Sequence, residues 1–297
     1  MFADNTLVVL GRFDAAKAVD AIEQYRVQNF FLAPIHMKRV VELPGVTERD
    51  FSSVESMFHT GGPCAPWLKR AWMKLIPPAK VLEAYGTTEG NGITTVRGDS
   101  WLERPGTVGR PRGCEMRILD DAGEEVATGA IGEIFMRSQA SGSTFQYLGS
   151  PSLRRTHDGF MSMGDMGWVD DDGYLYLADR RVDLIVTGGA NVYPAEVESV
   201  LSELAAVADV AVIGLPDGEL DKRVHAIIQP TDPSSPPSAL EPDKRCRQQL
   251  LSYKAPKSYG FVAELPRLSS GKIRRSALVD ERLSGWTNDM IAVSART

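Results

Sequence analysis

Two short loops carry residue types that could bind a nucleotide. Thr60-Gly61-Gly62-Pro63 follows an apolar run at residues 54–59, and Tyr85-Gly86-Thr87-Thr88-Glu89-Gly90 follows another at residues 80–84. Glycines let a flat ring approach the backbone closely, and a tyrosine can stack on that ring. A threonine hydroxyl beside Glu89 offers a hydrogen bond to phosphate and a carboxylate suited to Mg²⁺. Each loop by itself is equally typical of an ordinary strand-to-helix turn.

A second group of polar residues surrounds a predicted hairpin. Gly164-Asp165 precedes the hairpin, and Asp179-Arg180 ends it. A carboxylate there can accept both hydroxyls of a ribose, and an arginine can hold a ribose or phosphate oxygen. The alternative interpretation of Asp179 and Arg180 is a hairpin turn with a surface ion pair.

Two further segments could act on an anionic centre. Gly188-Gly189 begins a loop that runs from a strand to a helix opened by Pro194, and the plain interpretation is a well-formed helix entry. Lys272 follows the small-residue turn Ser269-Ser270-Gly271. This turn is not a Walker loop because isoleucine follows the lysine, so the alternatives are a mobile cation on a lid and a solvated basic turn.

The first hundred residues alternate between strand and helix signals. Asp14 predicts a helix cap, residues 30–33 predict a buried strand, and Pro66 opens a helix with an apolar stripe. This alternation predicts an α/β layer with parallel strands over residues 1–106. Over residues 107–180, short strands separated by Asp/Gly turns predict an antiparallel β-barrel or small sheet. Residues 181–297 predict a small α+β domain.

Composition excludes several classes of function. The 297 residues carry a formal net charge of −6 with no long basic run, which argues against nucleic acid as the main partner. No stretch is apolar enough to predict a membrane span, and the first residues do not predict a signal peptide. The three cysteines and four histidines are isolated, so neither disulfides nor a transition-metal site is indicated. We expect a cytoplasmic protein.

The motifs, taken in order, resemble the adenylate-forming superfamily and most closely its acyl/aryl-CoA ligases, the AMP-forming acyl-CoA synthetases. The amino-acid sequence of residues 59–72 is similar to that of bacterial ligases acting on steroid, bile-acid or fatty acids. This similarity suggests a role in fatty acid metabolism. The resemblance rests on these segments: Gly61-Gly62-Pro63, residues 85–89, residues 104–109, Gly164-Asp165, Asp179-Arg180, residues 188–196 and Ser270-Gly271-Lys272.

The resemblance implies two half-reactions that use ATP, Mg²⁺ and coenzyme A. A carboxylic acid is activated as acyl-AMP, and a thiol then takes the acyl group. Catalytic roles fall on Lys272, Thr88 and Glu89, with Glu89 as the metal ligand. Cofactor contacts fall on Gly61, Gly62, Pro63, Ala84, Tyr85, Gly86, Thr87, Asp165, Arg180, Gly188 and Gly189. Residues 1–180 would form the C-terminal part of the adenylation domain, and residues 181–297 a mobile lid.

Two departures from the family pattern keep other functions open. The family's phosphate loop is missing, since Gly11 and Gly45 are the only glycines before Gly61, and Val182 stands where the family usually has a polar hinge residue. We therefore expect an incomplete ligase with an exposed apolar face, which pairs with the missing N-terminal half or with a second copy. The alternatives are a non-catalytic or partner-dependent remnant that binds nucleotide or CoA, and an adenylating enzyme that loads a carrier protein.

Overall fold

The computed structural model describes residues 6–139, 154–268, 272–285 and 291–294. Its first part alternates strands and helices as the sequence predicts. The elements are α1 (Ala15–Gln24), β1 (Asn29–Leu32), α2 (Pro34–Val41), β2 (Ser56–His59), α3 (Pro66–Leu75), β3 (Val81–Gly86), β4 (Ile93–Arg97), α4 (Gly98–Glu103) and β5 (Thr107–Pro111). The predicted cap is confirmed, because the Asp14 carboxylate accepts a hydrogen bond from the Lys17 N–H at 2.9 Å.

Strands β1, β2 and β3 are parallel, whereas β4 and β5 continue the sheet in antiparallel fashion. One face of β1 and β2 is covered by the helices, and Met57 and Trp72 are fully buried in that core. On the opposite face Phe31 pairs with Phe58, and the two residues are 59% and 38% exposed. The prediction of a buried strand at residues 30–33 is therefore wrong for Phe31, because its side chain lies on the face of the sheet opposite the helix-covered core.

The second run of strands extends this sheet. Its members are β6 (Cys114–Leu119), β7 (Gly132–Ser138), β8 (Met161–Val169) and β9 (Leu175–Arg180). Strand β9 pairs antiparallel with β5, and the order along the sheet is β1-β2-β3-β4-β5-β9-β8-β7-β6. The sequence was compatible with either an antiparallel β-barrel or a small sheet in this region. Over the described residues the strands form a sheet and no closed barrel.

The C-terminal part forms a separate mixed sheet with helices on both faces. Its elements are β10 (Ile185–Thr187), β11 (Ala190–Val192), α5 (Pro194–Leu201), β12 (Val207–Asp217), β13 (Asp221–Pro230), α6 (Leu240–Gln249), β14 (Ser258–Phe261), α7 (Arg275–Leu283) and β15 (Ile291–Ser294). Alternate residues of β12 pack in two directions. Val212 lies in the core with α5 and α6, whereas Ile213 lies in the core with α7.

The chain divides into two compact units. The first holds Met1–Arg117, Phe135–Met163 and Val169–Tyr176, and the second holds Ile118–Ile134, Gly164–Trp168 and Leu177–Thr297. Among the described residues, no helix is both long and apolar enough to cross a membrane.

Candidate functional site

A cleft of about 440 Å³ in the first unit joins the two predicted nucleotide loops. Its walls are formed by Thr60, Ala84, Gly86, Thr87, Thr88, Gly90, Gly92, Ile93, Arg112, Gly113 and Ser138. Because β2 and β3 are parallel neighbours, their carboxyl ends lie side by side at one edge of the sheet. This is where open α/β sheets bind ligands.

The loop after β2 presents backbone to solvent. Gly61 has a φ of +91°, which a residue with a Cβ rarely adopts, and a Cβ at that position would meet no atom within 4 Å. Gly61, Gly62 and Pro63 are all exposed. The backbone at this edge is therefore exposed to solvent.

The predicted residues after β3 differ in how they face the cleft. Ala84, Gly86, Thr87 and Thr88 line it, and the Thr87 hydroxyl oxygen is buried without a hydrogen bond to any described residue. Tyr85 and Glu89 are half-buried beside these residues and are not part of the cleft wall.

Sequence reasoning missed two residues of the cleft wall. Ile93 and Arg112 line the cleft, and the Arg112 N–H donates to the Ile93 carbonyl at 2.9 Å. The hydrogen bond arises because β5, which ends at Pro111 just before Arg112, pairs antiparallel with β4, which begins at Ile93. The signal for β4 was the run of β-branched residues at 93–96, Ile-Thr-Thr-Val, which is typical of strands.

A buried charged cluster lies beneath the ends of β2 and β3. The Lys69 ammonium donates to the Glu83 carboxylate and sits 4.6 Å from the centre of the Trp101 ring. The side chains of Lys69 and Glu83 are only 2% and 11% exposed. Glu83 is the register partner of His59 and immediately precedes Ala84 of the cleft. The pair therefore fixes β3 against α3 directly behind the cleft.

His59 is fully buried in the same region. Neither ring nitrogen makes a hydrogen bond within the described part of the chain. Burial, assisted by the positive charge of Lys69, lowers the pKa of His59 to about 3. The imidazole is therefore neutral at physiological pH.

In the second unit, Asp165 and Arg180 approach each other, with the Arg180 Nε atom 3.9 Å from the Asp165 Oδ1 atom. Arg180 is exposed, whereas the Asp165 side chain is 20% exposed. The neighbouring Asp179 has a different contact, because its carboxylate accepts the Ala195 N–H at 2.7 Å near the start of α5. Burial raises the pKa of Asp179. Arg180 therefore approaches Asp165, whereas the Asp179 carboxylate accepts a backbone N–H of α5.

The Gly188-Gly189 pair forms a hairpin turn. Their φ values are +53° and +79°, and the turn joins β10 to β11, with Thr187 paired to Ala190. Two consecutive positive φ angles are typical of the tight turns that match strand twist. The sequence predicted a direct strand-to-helix loop here, and the structure corrects this by inserting β11 before the helix that Pro194 opens.

Lys272 is exposed. The Leu268 N–H donates to the Lys272 carbonyl at 2.9 Å. The backbones of Arg267 and Ile273 pair as an isolated antiparallel β-bridge. The predicted Ser269, Ser270 and Gly271 lie outside the described residues. Arg275, which begins α7, donates to Asp183 at 2.8 Å and to Glu198 at 2.8 and 3.0 Å. This network anchors the segment that carries Lys272.

Val182 lies between two anchored neighbours. Arg181 donates to Glu133 at 2.9 Å and to Asp121 at 2.7 Å, while Asp183 is held by Arg275. Val182 itself is 86% exposed. The two flanking side chains are therefore held by different parts of the second unit.

Comparison with known proteins gives a consistent family assignment along the chain. The family model of AMP-binding enzymes matches residues 1–145, and the model of the AMP-binding enzyme C-terminal domain matches residues 196–272. Lys272 is the last residue of the second match.

Several relatives are similar along most of this chain. It is 32% identical to fatty acid–[acyl-carrier-protein] ligase ScoC of Streptomyces coeruleorubidus, over 94% of the chain and 54% of that protein. It is 33% identical to 2-succinylbenzoate–CoA ligase of Bacillus licheniformis, over 92% of the chain and 56% of that protein. The chain thus spans about half the length of the curated relatives it matches.

A solved structure shows the same fold. It is o-succinylbenzoate CoA synthetase from Bacillus subtilis in complex with its acyl-adenylate intermediate. The TM-score is 0.79 at 31% identity, and the match covers 90% of this chain and 54% of that one.

Proposed function

The chain belongs to the AMP-binding enzyme family, and from that membership we propose that it serves as an ATP-dependent carboxylic acid–CoA ligase. In the first half-reaction the carboxylate of the acid attacks the α-phosphate of ATP, which gives acyl-AMP and releases pyrophosphate. In the second, the thiol of coenzyme A attacks the acyl carbon, which gives the thioester and releases AMP. The cleft between the Thr60 loop and Thr88 carries this proposal.

Each predicted residue has a part in the reaction. The backbone at Gly61, Gly62, Pro63 and at Ala84, Gly86, Thr87 would enclose the adenine, with Tyr85 stacked on it. Thr88 would donate to a phosphate oxygen. Asp165 would accept the ribose hydroxyls, and Arg180 would support that contact. Two anions must meet in the first step, so the Lys272 ammonium would lie between carboxylate and phosphate and offset their repulsion.

The residues near Thr88 fit a magnesium ion. Magnesium in ATP enzymes is commonly held by one or two carboxylates together with substrate phosphates and water. Glu89 is half-buried next to Thr88 and supplies one such carboxylate. When bound there, the ion would neutralise phosphate charge.

We propose coenzyme A as the acceptor and the cytoplasm as the compartment. The Gly188-Gly189 turn is exposed, and it would line the path of the thiol. The three cysteines are free, which is typical of a reducing compartment. A carrier protein is the alternative acceptor, because ScoC is named as a ligase for an acyl carrier protein.

A second candidate is a nucleotide-binding chain that needs a second polypeptide for catalysis. The exposed Phe31 and Phe58 on one face of the sheet favour it, since such an apolar face is suited to burial by another chain.

Acid-dependent release of AMP from ATP and Mg²⁺ by the purified 297-residue chain tests the proposal. Fatty, aromatic and steroid acids are supplied with and without coenzyme A, and AMP binding is measured separately by calorimetry. Lys272→Ala is the test variant, and Lys244→Ala, which removes an exposed lysine of α6, is its control. Release that depends on Lys272 supports the ligase. AMP binding without release supports the partner-dependent candidate, and absence of both contradicts the proposal.

A further inference from the structure

The two loops that would enclose the adenine are separate in sequence, and the distance between them sets the room for the ring. The first loop, residues 60–65, runs from the end of β2 at His59 to the start of α3 at Pro66. The second loop begins where β3 ends at Gly86. The residues that anchor these loops therefore determine whether a flat base fits between them.

Glu83 anchors the start of the first loop through the sheet. His59 is the last residue of β2, and its register partner in the parallel strand β3 is Glu83. Glu83 also lies three residues before Gly86, where the second loop begins. Main-chain pairing at Glu83 thus fixes the beginning of one loop beside the beginning of the other.

The side chain of Glu83 anchors the other end of the first loop. Its carboxylate accepts a hydrogen bond from the Lys69 ammonium, and Lys69 lies in the first turn of α3. The Lys69 N–H in turn donates to the carbonyl of Ala65, the last residue of the loop, at 3.2 Å. Both ends of the loop at residues 60–65 are therefore tied to the same glutamate.

The surroundings of the pair favour a single arrangement. Both side chains are buried, and the ring of buried Trp101 on α4 lies against the Lys69 ammonium. A buried charge that loses its partner stays uncompensated, so the two groups are held in contact. An exposed ion pair could exchange its partner for water at little cost. This pair thus behaves as a spacer of fixed length between α3 and β3.

The first loop has little support of its own. Among the described residues, no backbone hydrogen bond holds Gly61, Gly62 or Pro63. Two consecutive glycines allow many backbone conformations. The helix that follows begins without help from a side chain, since its N-cap residue Ala65 makes no side-chain hydrogen bond. The position of the loop therefore depends on its two anchored ends.

We propose, on the basis of the proposed ligase function, that Glu83 and Lys69 are positioning residues for the nucleotide, because they set the spacing of the two loops. Neither residue is part of the cleft wall, so both act through the loops and not by contact with the ligand. The apparent affinity of a site falls in proportion to the fraction of molecules in the binding arrangement. Loss of the pair therefore weakens AMP binding without removing a contact to AMP.

Calorimetric titration of AMP into the 297-residue chain and its variants tests the inference, with urea denaturation of each variant in parallel. The double variant Lys69→Met with Glu83→Gln leaves no charge without a partner, so it should remain folded. We expect it to bind AMP about tenfold more weakly, the loss that results when about one molecule in ten holds the binding spacing. Val19→Ala is the matched control, since Val19 is fully buried in the same core but lies on α1 and not in the cleft wall.

Two conservative variants separate the length of the pair from its charge. Lys69→Arg keeps the charge and the long reach, so it should retain most of the AMP affinity. Glu83→Asp keeps both charges but shortens the reach by one carbon, so it should weaken AMP binding in a chain that remains folded. This variant tests the spacing even where the double variant does not fold.

The inference is overturned if the double variant or Glu83→Asp binds AMP as tightly as the unmodified chain. It is also overturned if AMP affinity follows the free energy of unfolding alone, so that Val19→Ala weakens binding at equal loss of stability. These results, in an unmodified chain that binds AMP, contradict the positioning role and leave the ligase proposal standing. An unmodified chain that does not bind AMP contradicts the ligase proposal and the inference that rests on it.

Discussion

Replacing Glu83 by glutamine removes the counter-charge of an ammonium that is almost completely buried. Lys69 and Glu83 are 2% and 11% exposed, so solvent screens neither side chain appreciably. Breaking a buried ion pair from one side costs about 3–5 kcal/mol, because the other charge stays buried without compensation. We expect Glu83→Gln and Lys69→Met each to lower the free energy of unfolding of the first unit by this amount.

The double variant separates the pair from its surroundings. Lys69→Met combined with Glu83→Gln leaves no uncompensated charge, so its cost should fall below the sum of the single costs. We expect a coupling free energy of about 2–3 kcal/mol, at the upper end for residues in direct contact. Arg97 and Asp99 provide the control pair, since they lie 2.5 Å apart but are 56% and 44% exposed. Their coupling should stay within about 1 kcal/mol.

Urea denaturation followed by tryptophan fluorescence measures these values. Trp72 and Trp101 are both buried in the first unit, and the Lys69 ammonium contacts the Trp101 ring directly. A coupling free energy below about 0.5 kcal/mol, the usual scatter of additive mutations, would refute the argument that this buried pair holds β3 to α3.

Three other predictions address the nucleotide, the lysine and pH. Asp165→Ala should weaken AMP binding by about 1.5–3 kcal/mol through loss of charged hydrogen bonds, and unchanged calorimetric affinity relative to a control Asp232→Ala variant would exclude the ribose contact. Lys272→Ala should reduce adenylation far more than thioester formation from supplied acyl-AMP, and an equal loss in both assays would contradict its role. Burial lowers the pKa of His59 from its ordinary 6.5 to about 3, so above pH 6.5 the imidazole is neutral in both the folded and the unfolded chain and its protonation does not affect stability. Since only the unfolded chain binds this proton between the two values, stability should fall by about 1.4 kcal/mol per pH unit as the pH decreases from 6 to 4. Urea midpoints of His59→Leu should show a smaller slope, and identical slopes would contradict the buried neutral imidazole.

Local sequence signals predicted the elements that position the cleft. Asp14 capped its helix as expected, and the alternation of strands and helices correctly predicted the parallel pairing of β1, β2 and β3. Such features depend on a few neighbouring residues. The two loops that we propose to bind the nucleotide were located in the same way, because each follows directly on an apolar strand.

Features that depend on distant residues were missed. Lys69 lies fourteen positions before Glu83, and nothing in either segment indicates that the two would meet; an isolated lysine normally predicts solvent. Phe31 shows the opposite error, since an apolar run indicates burial but does not say what covers it. The β11 strand was missed because its three residues, between the glycine pair and Tyr193-Pro194, are too few to show a period.

The arrangement around Val182 concentrates any change of backbone direction at one residue. Arg181 is clamped through Glu133 and Asp121, and Asp183 through Arg275, so neither neighbour can turn without breaking charged hydrogen bonds. A swing of the following segment must therefore be absorbed as torsion about the φ and ψ axes of Val182. Its β-branched side chain narrows the choice of torsion angles. A change of direction at Val182 is therefore restricted to a few backbone conformations. A glycine at this position would allow more of them.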